Sequence, residues 1–517
     1  MESLIDLSKL DIAIIVLYVL VLGVIAFWSG FAKKNKSDNL FLANKSLGWL
    51  AIGLTMWGTN VGPSMLIANA SSGFETGITA GNFSWYAFPF IMMLVFVFAP
   101  RYLGAKVTTL PEFMGKRFGD RTHSYIAWYT IVTTLISWLG LTLFSGGVFM
   151  AQILNFPLWA CIVILVFVSA LFVMVGGLKT IAYTNVFQML LLIAVSVLLV
   201  VLTTVKIGGI GALSAATPAS YWKLLQPLDH QDFPWLAIIL GYPVMGIWFW
   251  CTDQSMVQSV LGAKSLKEGQ KGANFLAWLK LIDIPLFILP GILAFVLIPN
   301  LTNSTDAYLQ LVKHIFPPGL IGLVVVVMIA ALVSTVGSAL NSLSTVFTMD
   351  IYLKNKTNVN AKRIKRIGRV VVLIGSLLSV FLAVGISLIQ GLSFFNIFQS
   401  VLGFIAPPMS VAFLAAVLWK KTSHRSINLV LSIGTIFSIG IGLLYYTGLI
   451  LSGIHFLYIS FAIFVLLGIF VIIFTLRENR TTEMSVPQPE TMKIDYSVKW
   501  AWGLLIVVMV AMYLIFN

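Results

Sequence analysis

Small polar side chains recur along one face of an otherwise apolar segment near residue 340. The stripe consists of Ser334, Ser338, Asn341, Ser342 and Thr345, with Thr335 beside its first member. Spacings of three and four residues place these oxygens on one side of a helix. Neutral oxygens can bind a hard monovalent cation without adding a fixed charge. The hydroxyls of Ser334 and Thr335, with the carbonyl of Ala331, therefore predict a cation site. Close helix packing, which favours small polar residues in membranes, is the alternative.

Two apolar segments are interrupted by glycine and proline. These residues are Gly58, Gly62 and Pro63 within residues 51–64, and Gly241, Pro243 and Gly246 within residues 241–254. Irregular backbone at membrane depth persists only where protein or water satisfies its N–H and C=O groups. Breaks at corresponding places in two halves are typical of alternating-access transporters. Freed carbonyls near Gly58 and Val61 would complete the cation shell. Ordinary kinks are the alternative, because both residue types are common in membrane helices.

Lys280 and Asp283 are the only opposite charges placed close together deep in an apolar segment, one turn apart on one helix. Ionisable groups inside a membrane are costly and are candidates for function. We expect Lys280 to face a substrate and Asp283 to orient it, which leaves a carboxylated or amino sugar open. The alternative is an ion pair that only makes both groups tolerable. Asp253 lies near a helix end, where we expect a structural or gating role.

The composition is that of a membrane protein. Of 517 residues 59% are hydrophobic and 10% charged, and the mean hydropathy is +0.98, whereas a soluble domain carries more surface charge. Apolar runs long enough to cross the bilayer predict fourteen spans. They lie near 11–30, 47–70, 82–103, 123–151, 157–176, 184–206, 235–259, 273–299, 317–349, 367–388, 393–419, 426–448, 453–476 and 497–516.

The net charge of +14 is concentrated on alternate loops, including seven basic residues in 354–369. Such asymmetry marks the basic side as cytoplasmic, so both termini are predicted to be extracytoplasmic. The excess of basic residues is thus a topology signal, and no nucleic-acid partner is expected. We expect a multi-pass protein of the cell (inner) membrane whose partners are the lipid bilayer and a small polar solute, with no obligatory protein partner.

The sequence carries no catalytic constellation. Cys161 and Cys251 both lie inside spans, and the five histidines lack the spacing of metal ligands. Neither a P-loop nor a nucleophile elbow is present. We therefore expect no enzyme, and uphill transport must draw on an ion gradient.

Six short motifs are spread along the chain. They are residues 38–43 (DNLFLA), 109–117 (TLPEFMGKR), 176–188 (GGLKTIAYTNVFQ), 250–254 (WCTDQ), 262–264 (GAK) and 347–352 (FTMDIY). Together they resemble the sodium/solute symporter family, in its sodium/glucose cotransporter branch, over essentially the whole chain. The resemblance implies an all-α polytopic membrane protein with about 14 transmembrane helices and a LeuT-like core of 5+5 inverted repeats with flanking helices.

The resemblance also implies an ion site and domain limits. Na⁺ would be the coupling ion, held by the carbonyls of Gly58, Val61 and Ala331 and the side chains of Ser334 and Thr335. The predicted domains are 1–46, an outer flanking helix and first cytoplasmic loop; 47–206 and 235–419, the two repeats; and 420–517, the C-terminal flanking helices.

The substrate positions implied by the resemblance are only partly retained. Asn60, Lys280 and Gln399 match the polar pattern of sugar-binding members, whereas Met65, Ser84, Gly246 and Ala87 replace other polar side chains of that pattern. A site that binds a hydroxyl loses much of its affinity when the polar side chains that pair with the hydroxyl are replaced. Several hydrogen bonds to a hexose are missing here, which argues against glucose or galactose as the substrate. The resemblance also implies that Phe249 is the inner gate residue and Phe395 the outer gate residue.

Asn185 stands where many relatives carry an aspartate that helps hold or release sodium. A second cation in low dielectric needs negative charge nearby, and Asn185 keeps the oxygen without the charge. We expect one Na⁺ per solute, with Asn185 as a hydrogen-bonding helix contact.

The sequence therefore predicts a secondary active transporter that couples inward Na⁺ flow to uptake of a small polar solute, a sugar or sugar-like compound. Na⁺-coupled uptake of an amino acid or a carboxylate is the nearest alternative. A transporter-derived sensor or a channel is a more distant one.

Overall fold

The structure is a computed structural model that describes residues 7–31, 41–230, 232–356, 359–388, 394–451, 453–478 and 494–517. Within these ranges the chain is built of helices, with two isolated β-bridges, Leu47 to Ala263 and Gln226 to Pro234. Each of the fourteen predicted spans falls on one helix or on two consecutive helices.

The first half of the chain supplies the helices up to residue 215. They are α1 (Lys9–Phe31), α2 (Trp49–Asn60), α3 (Pro63–Thr76), α4 (82–104), the short α5 (Leu110–Phe118), α6 (Asp120–Leu154), α7 (Leu158–Ile207) and α8 (Ile210–Ala215). Two predicted spans lie within α7, on either side of Gly177, whose φ of 57° interrupts the helical backbone. A positive φ carries little steric cost only for glycine.

The second half begins with the second interrupted span. Its helices are α9 (Trp235–Thr252), α10 (Gln254–Leu261), α11 (Leu266–Ile282), α12 (Ile284–Leu297), α13 (Ala307–Ile315), α14 (Leu320–Tyr352), α15 (Ala361–Ser387), α16 (Phe394–Leu418), α17 (His424–Tyr446), α18 (Phe456–Glu478) and α19 (Tyr496–Ile515). Ten helices in the described residues are long and apolar enough to cross a membrane, and α11 with α12, bent by 42°, form an eleventh span if taken together.

The first predicted break lies between α2 and α3. Val61 (φ −88°, ψ 88°) and Gly62 (φ −100°, ψ 166°) leave the helical region, and Pro63 restarts the helix at its first position. Proline suits that position, because the first N–H groups of a helix have no partner within the helix. The chain thus turns from α2 to α3 over two residues at the centre of the span.

The second break lies at the end of its predicted stretch. Helix α9 continues through Pro243, widens into a π-helical turn at Trp248–Thr252, and leaves the helical region at Asp253 (φ −79°, ψ 127°). Gly241 and Gly246 instead permit close packing, because a Cβ atom would overlap Leu457 and the Phe90 ring respectively. These glycines therefore bring helices together and do not themselves break the helix.

The helices that carry the two breaks form one packed group. In it α2 and α3 contact α11 and α12, and α4 contacts both α9 and α11. A second group contains α6, α7, α14 and α15, which pack against one another. The two groups meet where α2 contacts α7 and α14, and α1 covers α7 and α14 from outside. The first break thus lies at the boundary between the groups.

Candidate functional site

The residues of the predicted cation site meet at this boundary. The Thr335 hydroxyl of α14 is 3.1 Å from the carbonyl oxygen of Ala331 and 3.3 Å from that of Gly58 on α2. Ser334 Oγ is buried and has no hydrogen-bond partner among the described residues. A Cβ atom on Gly58 would lie 2.9 Å from Ser334 Oγ. Hydroxyl and carbonyl oxygens from two helices therefore converge on one point.

Val61 belongs to the same region through the break itself. Its N–H donates to the carbonyl of Trp57 at 2.8 Å. No described backbone N–H donates to the carbonyl of Val61. The N–H groups of Met65 and Leu66, which follow it, donate to the carbonyl of Gly62 instead. The Val61 carbonyl thus has no backbone donor among the described residues, and its role as an ion ligand stays a prediction. An unpaired Ser334 oxygen and a carbonyl without a donor are the kind of neutral oxygen ligands that a hard cation takes.

A second contact between α2 and α14 lies one turn away. The Thr59 hydroxyl lies 2.8 Å from both the Thr55 carbonyl and Ser338 Oγ. Within the stripe on α14, Ser338 thus takes part in helix packing, whereas Ser334 Oγ has no hydrogen-bond partner among the described residues. Small polar residues at such a contact allow close approach of the backbones.

Lys280 and Asp283 form a buried ion pair. The Lys280 ammonium also donates to Asn60 Oδ1 at 2.8 Å and lies 5.4 Å from the centroid of the Trp250 ring. The other carboxylate oxygen of Asp283 accepts from Trp57 Nε1 at 2.9 Å. The sequence reasoning missed Trp57, because 226 residues separate it from Asp283. The pair thus ties α11 to the end of α2.

A cavity of about 90 Å³ joins the ion pair to the cation site. Its walls are mainly apolar and aromatic. The lining residues are Asn60, Gly62, Met65, Ala68, Phe83, Trp138, Leu141, Thr142, Ser145, Tyr242, Met245, Gly246, Trp248, Phe249, Trp250, Lys280, Thr335 and Leu402. Because a buried water needs about 10–15 Å³ in such a measure, the cavity can hold several waters.

Aromatic rings close one side of this cavity. The Phe249 ring centroid lies 5.3 Å from that of Trp138, 6.2 Å from that of Trp248 and 4.8 Å from that of Trp250. The sequence reasoning named only Phe249 from this cluster. The density of tryptophan in residues 248–250 was the available signal for the neighbouring rings. Such rings present flat apolar faces and allow a ligand to stack.

The other predicted substrate residues differ in their placement. Asn60, Met65 and Lys280 line the cavity, whereas the buried Ser84 is not among its lining residues. The side chains of Gln399 and Phe395 lie outside the residues that the structure describes, although both positions belong to helix α16.

Asp253 forms hydrogen bonds that stabilise the local structure. Its carboxylate accepts from Trp138 Nε1 at 3.0 Å and from the Met256 N–H at 3.1 Å, which caps α10. A capping carboxylate satisfies backbone donors at the start of a helix. Asp253 therefore holds the second break in place and also orients a cavity-lining ring.

Asn185 departs from its predicted hydrogen-bonding role. It is fully buried in α7, yet neither atom of its amide has a hydrogen-bond partner among the described residues. One turn before it, Ile181 approaches Gly337, and one turn after it, Met189 approaches Gly58. Asn185 is thus at the level of the cation site on a neighbouring helix, but it makes no interhelical hydrogen bond there.

Comparison with known proteins identifies the family to which this chain belongs. Residues 40–427 match the model of the sodium:solute symporter family. The chain belongs to this family. It is 30% identical to human sodium/myo-inositol cotransporter 2 over 452 residues, which cover 80% of this chain and 67% of that protein. It is 29% identical to sheep sodium/glucose cotransporter 1 over 511 residues, which cover 88% and 77%.

Solved structures define the fold. A Na⁺-coupled sialic acid symporter in a substrate-bound outward-open state superposes with a TM-score of 0.81 at 19% identity, covering 92% of this chain and all of the other. The chain described here therefore has a LeuT-like, all-α fold, as its sequence predicted. The chain is a membrane-embedded secondary transporter, and Na⁺ is its coupling ion.

Removing the Thr335 hydroxyl tests the cation site. We expect Thr335→Ala to raise the NaCl concentration for half-maximal thermal stabilisation of the purified protein by about tenfold, because one ligand is lost. Thr335→Ser keeps the oxygen and should retain most of the affinity. Ser344→Ala is the matched control, because this hydroxyl donates to the Gly368 carbonyl elsewhere on α14. An unchanged Na⁺ requirement in Thr335→Ala would show that the ion binds elsewhere.

Proposed function

We propose that this symporter couples inward Na⁺ flow to uptake of a neutral, polyhydroxylated solute, a sugar or a cyclic polyol, by alternating access. The observation that carries the proposal is that the charge of Lys280 is neutralised within the protein. It is the only charged residue among the described residues that line the cavity, and Asp283 already neutralises it. A solute that enters the cavity therefore meets hydrogen-bonding groups and rings but no free charge.

The donors of Lys280 are largely committed within the protein. Its ammonium has three N–H groups, of which Asp283 and Asn60 accept two, and the Trp250 ring lies near the cation. Binding a carboxylate here would place a third charge beside a buried pair, at a high cost of desolvation. A hydroxyl can instead form a hydrogen bond with the Lys280 ammonium or the Asn60 amide without bringing a charge into the cavity. The arrangement thus disfavours the alternative of a carboxylate or amino-acid substrate.

The remaining walls suit a ring-shaped polyol. Thr142 and Ser145 add hydroxyls to the cavity, and the faces of Phe249 and Trp250 can stack on the C–H groups of a ring. The names of the relatives, cotransporters of myo-inositol and of glucose, support this substrate class. Glucose itself is a weaker candidate, because Met65 lines the cavity and the Phe90 ring fills the space beside Gly246.

The ion site provides the basis for coupling. Gly58 and Val61 belong to the helices that carry the breaks, whereas Ala331, Ser334 and Thr335 belong to the second packed group. A cation that needs ligands from both groups favours the conformations in which they are in contact. Thr335 also lines the solute cavity, so Na⁺ binding shapes the wall that the solute contacts.

The predicted repeats and orientation complete the proposal. Residues 47–206 and 235–419 are the two repeats, with 1–46 and 420–517 as flanking regions. Both packed groups draw helices from each repeat, which supports this division. The basic loops face the cytoplasm, and both termini lie on the extracytoplasmic side of the cell membrane.

A panel of solutes tests the substrate class. We expect myo-inositol or a related neutral polyol to raise the thermal stability of the purified protein in NaCl but not in KCl. Gluconate and glucosamine, which resemble sugars but carry opposite charges, are the matched controls and should give smaller shifts because the cavity offers no free charge. A dominant response to gluconate would contradict the neutral-solute assignment while leaving Na⁺ coupling intact.

Lys280 can be tested with the best solute from this panel. We expect Lys280→Ala to abolish Na⁺-driven uptake into proteoliposomes while the protein still folds, because a lone Asp283 can bind a proton instead of staying charged. The double variant Lys280→Ala with Asp283→Asn removes both charges. If Lys280 only neutralises Asp283, the double variant will recover transport. Continued loss of uptake, with an unaltered size-exclusion profile, is the expected result.

The ratio of Na⁺ to solute follows from Asn185. Its amide adds no negative charge at the level of the cation site, so a second Na⁺ lacks compensation in low dielectric. Reversal potentials measured in proteoliposomes over a range of Na⁺ gradients should give one Na⁺ per solute. Asn185→Asp is the informative variant and should move the ratio upward. A ratio near two in the unmodified protein would refute this argument.

A further inference from the structure

A lateral groove lies on the second packed group, away from the solute cavity. Its volume is about 940 Å³, within the range of about 300–1,000 Å³ typical of small-molecule sites. It runs between α6 on one side and α14 and α15 on the other. The lining residues are Trp128, Ile131, Val132, Leu135, Leu343, Phe347, Tyr352, Asn360, Lys362, Arg363, Arg366, Ile367, Val370, Val371, Ile374, Gly375 and Leu378.

One end of the groove is basic. Lys362, Arg363 and Arg366 occupy the first two turns of α15 and are exposed. In the described part of the chain no carboxylate forms a salt bridge with any of the three. Two guanidinium groups and one ammonium group thus share one end of a concave surface. Arginine is well suited to phosphate, because its planar fork binds two oxygens at once.

The rest of the groove faces hydrocarbon. Trp128 and Val132 of α6 are 52% and 49% exposed, and Val370 and Ile374 of α15 are 45% and 54% exposed. These residues lie on membrane-spanning helices, so the surface they expose faces the acyl chains of the bilayer. The groove therefore leads from a basic end at the membrane surface to an apolar wall in the membrane interior.

We propose that this groove binds an anionic phospholipid, with its phosphate at Lys362, Arg363 and Arg366 and one acyl chain along Val132 and Ile374. Charge complementarity selects the headgroup, because basic pockets between membrane helices hold anionic lipids. The apolar wall selects a lipid over a soluble phosphate, since an inorganic ion would leave that wall uncovered. The lipid fills the space between α6 and α15 and contacts α14 through Leu343 and Phe347.

The test compares lipid binding by native mass spectrometry of the purified full-length protein. Phosphatidylglycerol should remain bound at collision energies that remove phosphatidylcholine. The triple variant Lys362→Gln, Arg363→Gln, Arg366→Gln should weaken phosphatidylglycerol binding by at least about tenfold, because three attractive charges are lost. The matched control is Lys420→Gln, Lys421→Gln, Arg425→Gln, which removes the same charge from exposed residues outside the groove. Equal losses in both triple variants would reduce the effect to general surface charge and overturn the proposal.

The apolar wall needs a separate variant. Ile374→Trp keeps the three basic residues and fills the groove, so it should also displace the lipid. Leu466→Trp is its control, because Leu466 is 55% exposed on α18 outside the groove. Lipid retention unchanged by Ile374→Trp would place the lipid elsewhere. Inorganic phosphate that stabilises the protein against heating as well as phosphatidylglycerol does would assign the basic end to a soluble anion and overturn the lipid.

Discussion

The contact between the broken end of α2 and the middle of α14 is the constraint on which the rest of the structure depends. Gly58 can approach Ser334 this closely only because it has no side chain, since a Cβ atom would lie 2.9 Å from the serine oxygen. The same approach leaves Ser334 Oγ unpaired in a buried position. An unpaired buried oxygen costs free energy, about 1–3 kcal/mol, unless a ligand satisfies it. A cation bound between the two helices would supply that partner, and satisfying Ser334 would then contribute to its affinity.

The ion pair of Lys280 and Asp283 carries this constraint to the solute cavity. Asn60 is two residues beyond Gly58 and accepts from Lys280, while Trp57 is one residue before Gly58 and donates to Asp283. Removing one member of such a buried pair is far more costly than keeping both. The pair therefore holds the last turn of α2 in position from the side opposite α14. Movement at Gly58 therefore cannot leave the contacts of Lys280 and Asp283 unchanged, because Trp57 and Asn60 belong to the same four residues of backbone.

Sequence patterns that arise from local chemistry were the ones that predicted structure. The length of the apolar runs predicted the membrane spans. Gly62 and Pro63 predicted the first break, because proline restricts the backbone wherever it occurs. The second break was placed less well, since Pro243 lies inside a continuous helix and the contacts of Gly241 and Gly246 are with distant Leu457 and Phe90. Partners such as Trp57 and Asp283, which are far apart in sequence, leave no local signal. Asn185 shows the same limit, because its missing partner depends on what neighbouring helices present.

The charges of the two sites also decide how the membrane potential acts. The predicted cation ligands are neutral oxygens, and Lys280 and Asp283 cancel each other, so these residues together carry no net charge. With a neutral solute, Na⁺ is the only charge moved. A potential of 100 mV then contributes about 2.3 kcal/mol per cycle, and a tenfold Na⁺ gradient adds about 1.4 kcal/mol. Together they support roughly 500-fold accumulation of solute. An anionic solute would cancel the electrical part, so the neutralisation of Lys280 favours both the substrate class and the driving force.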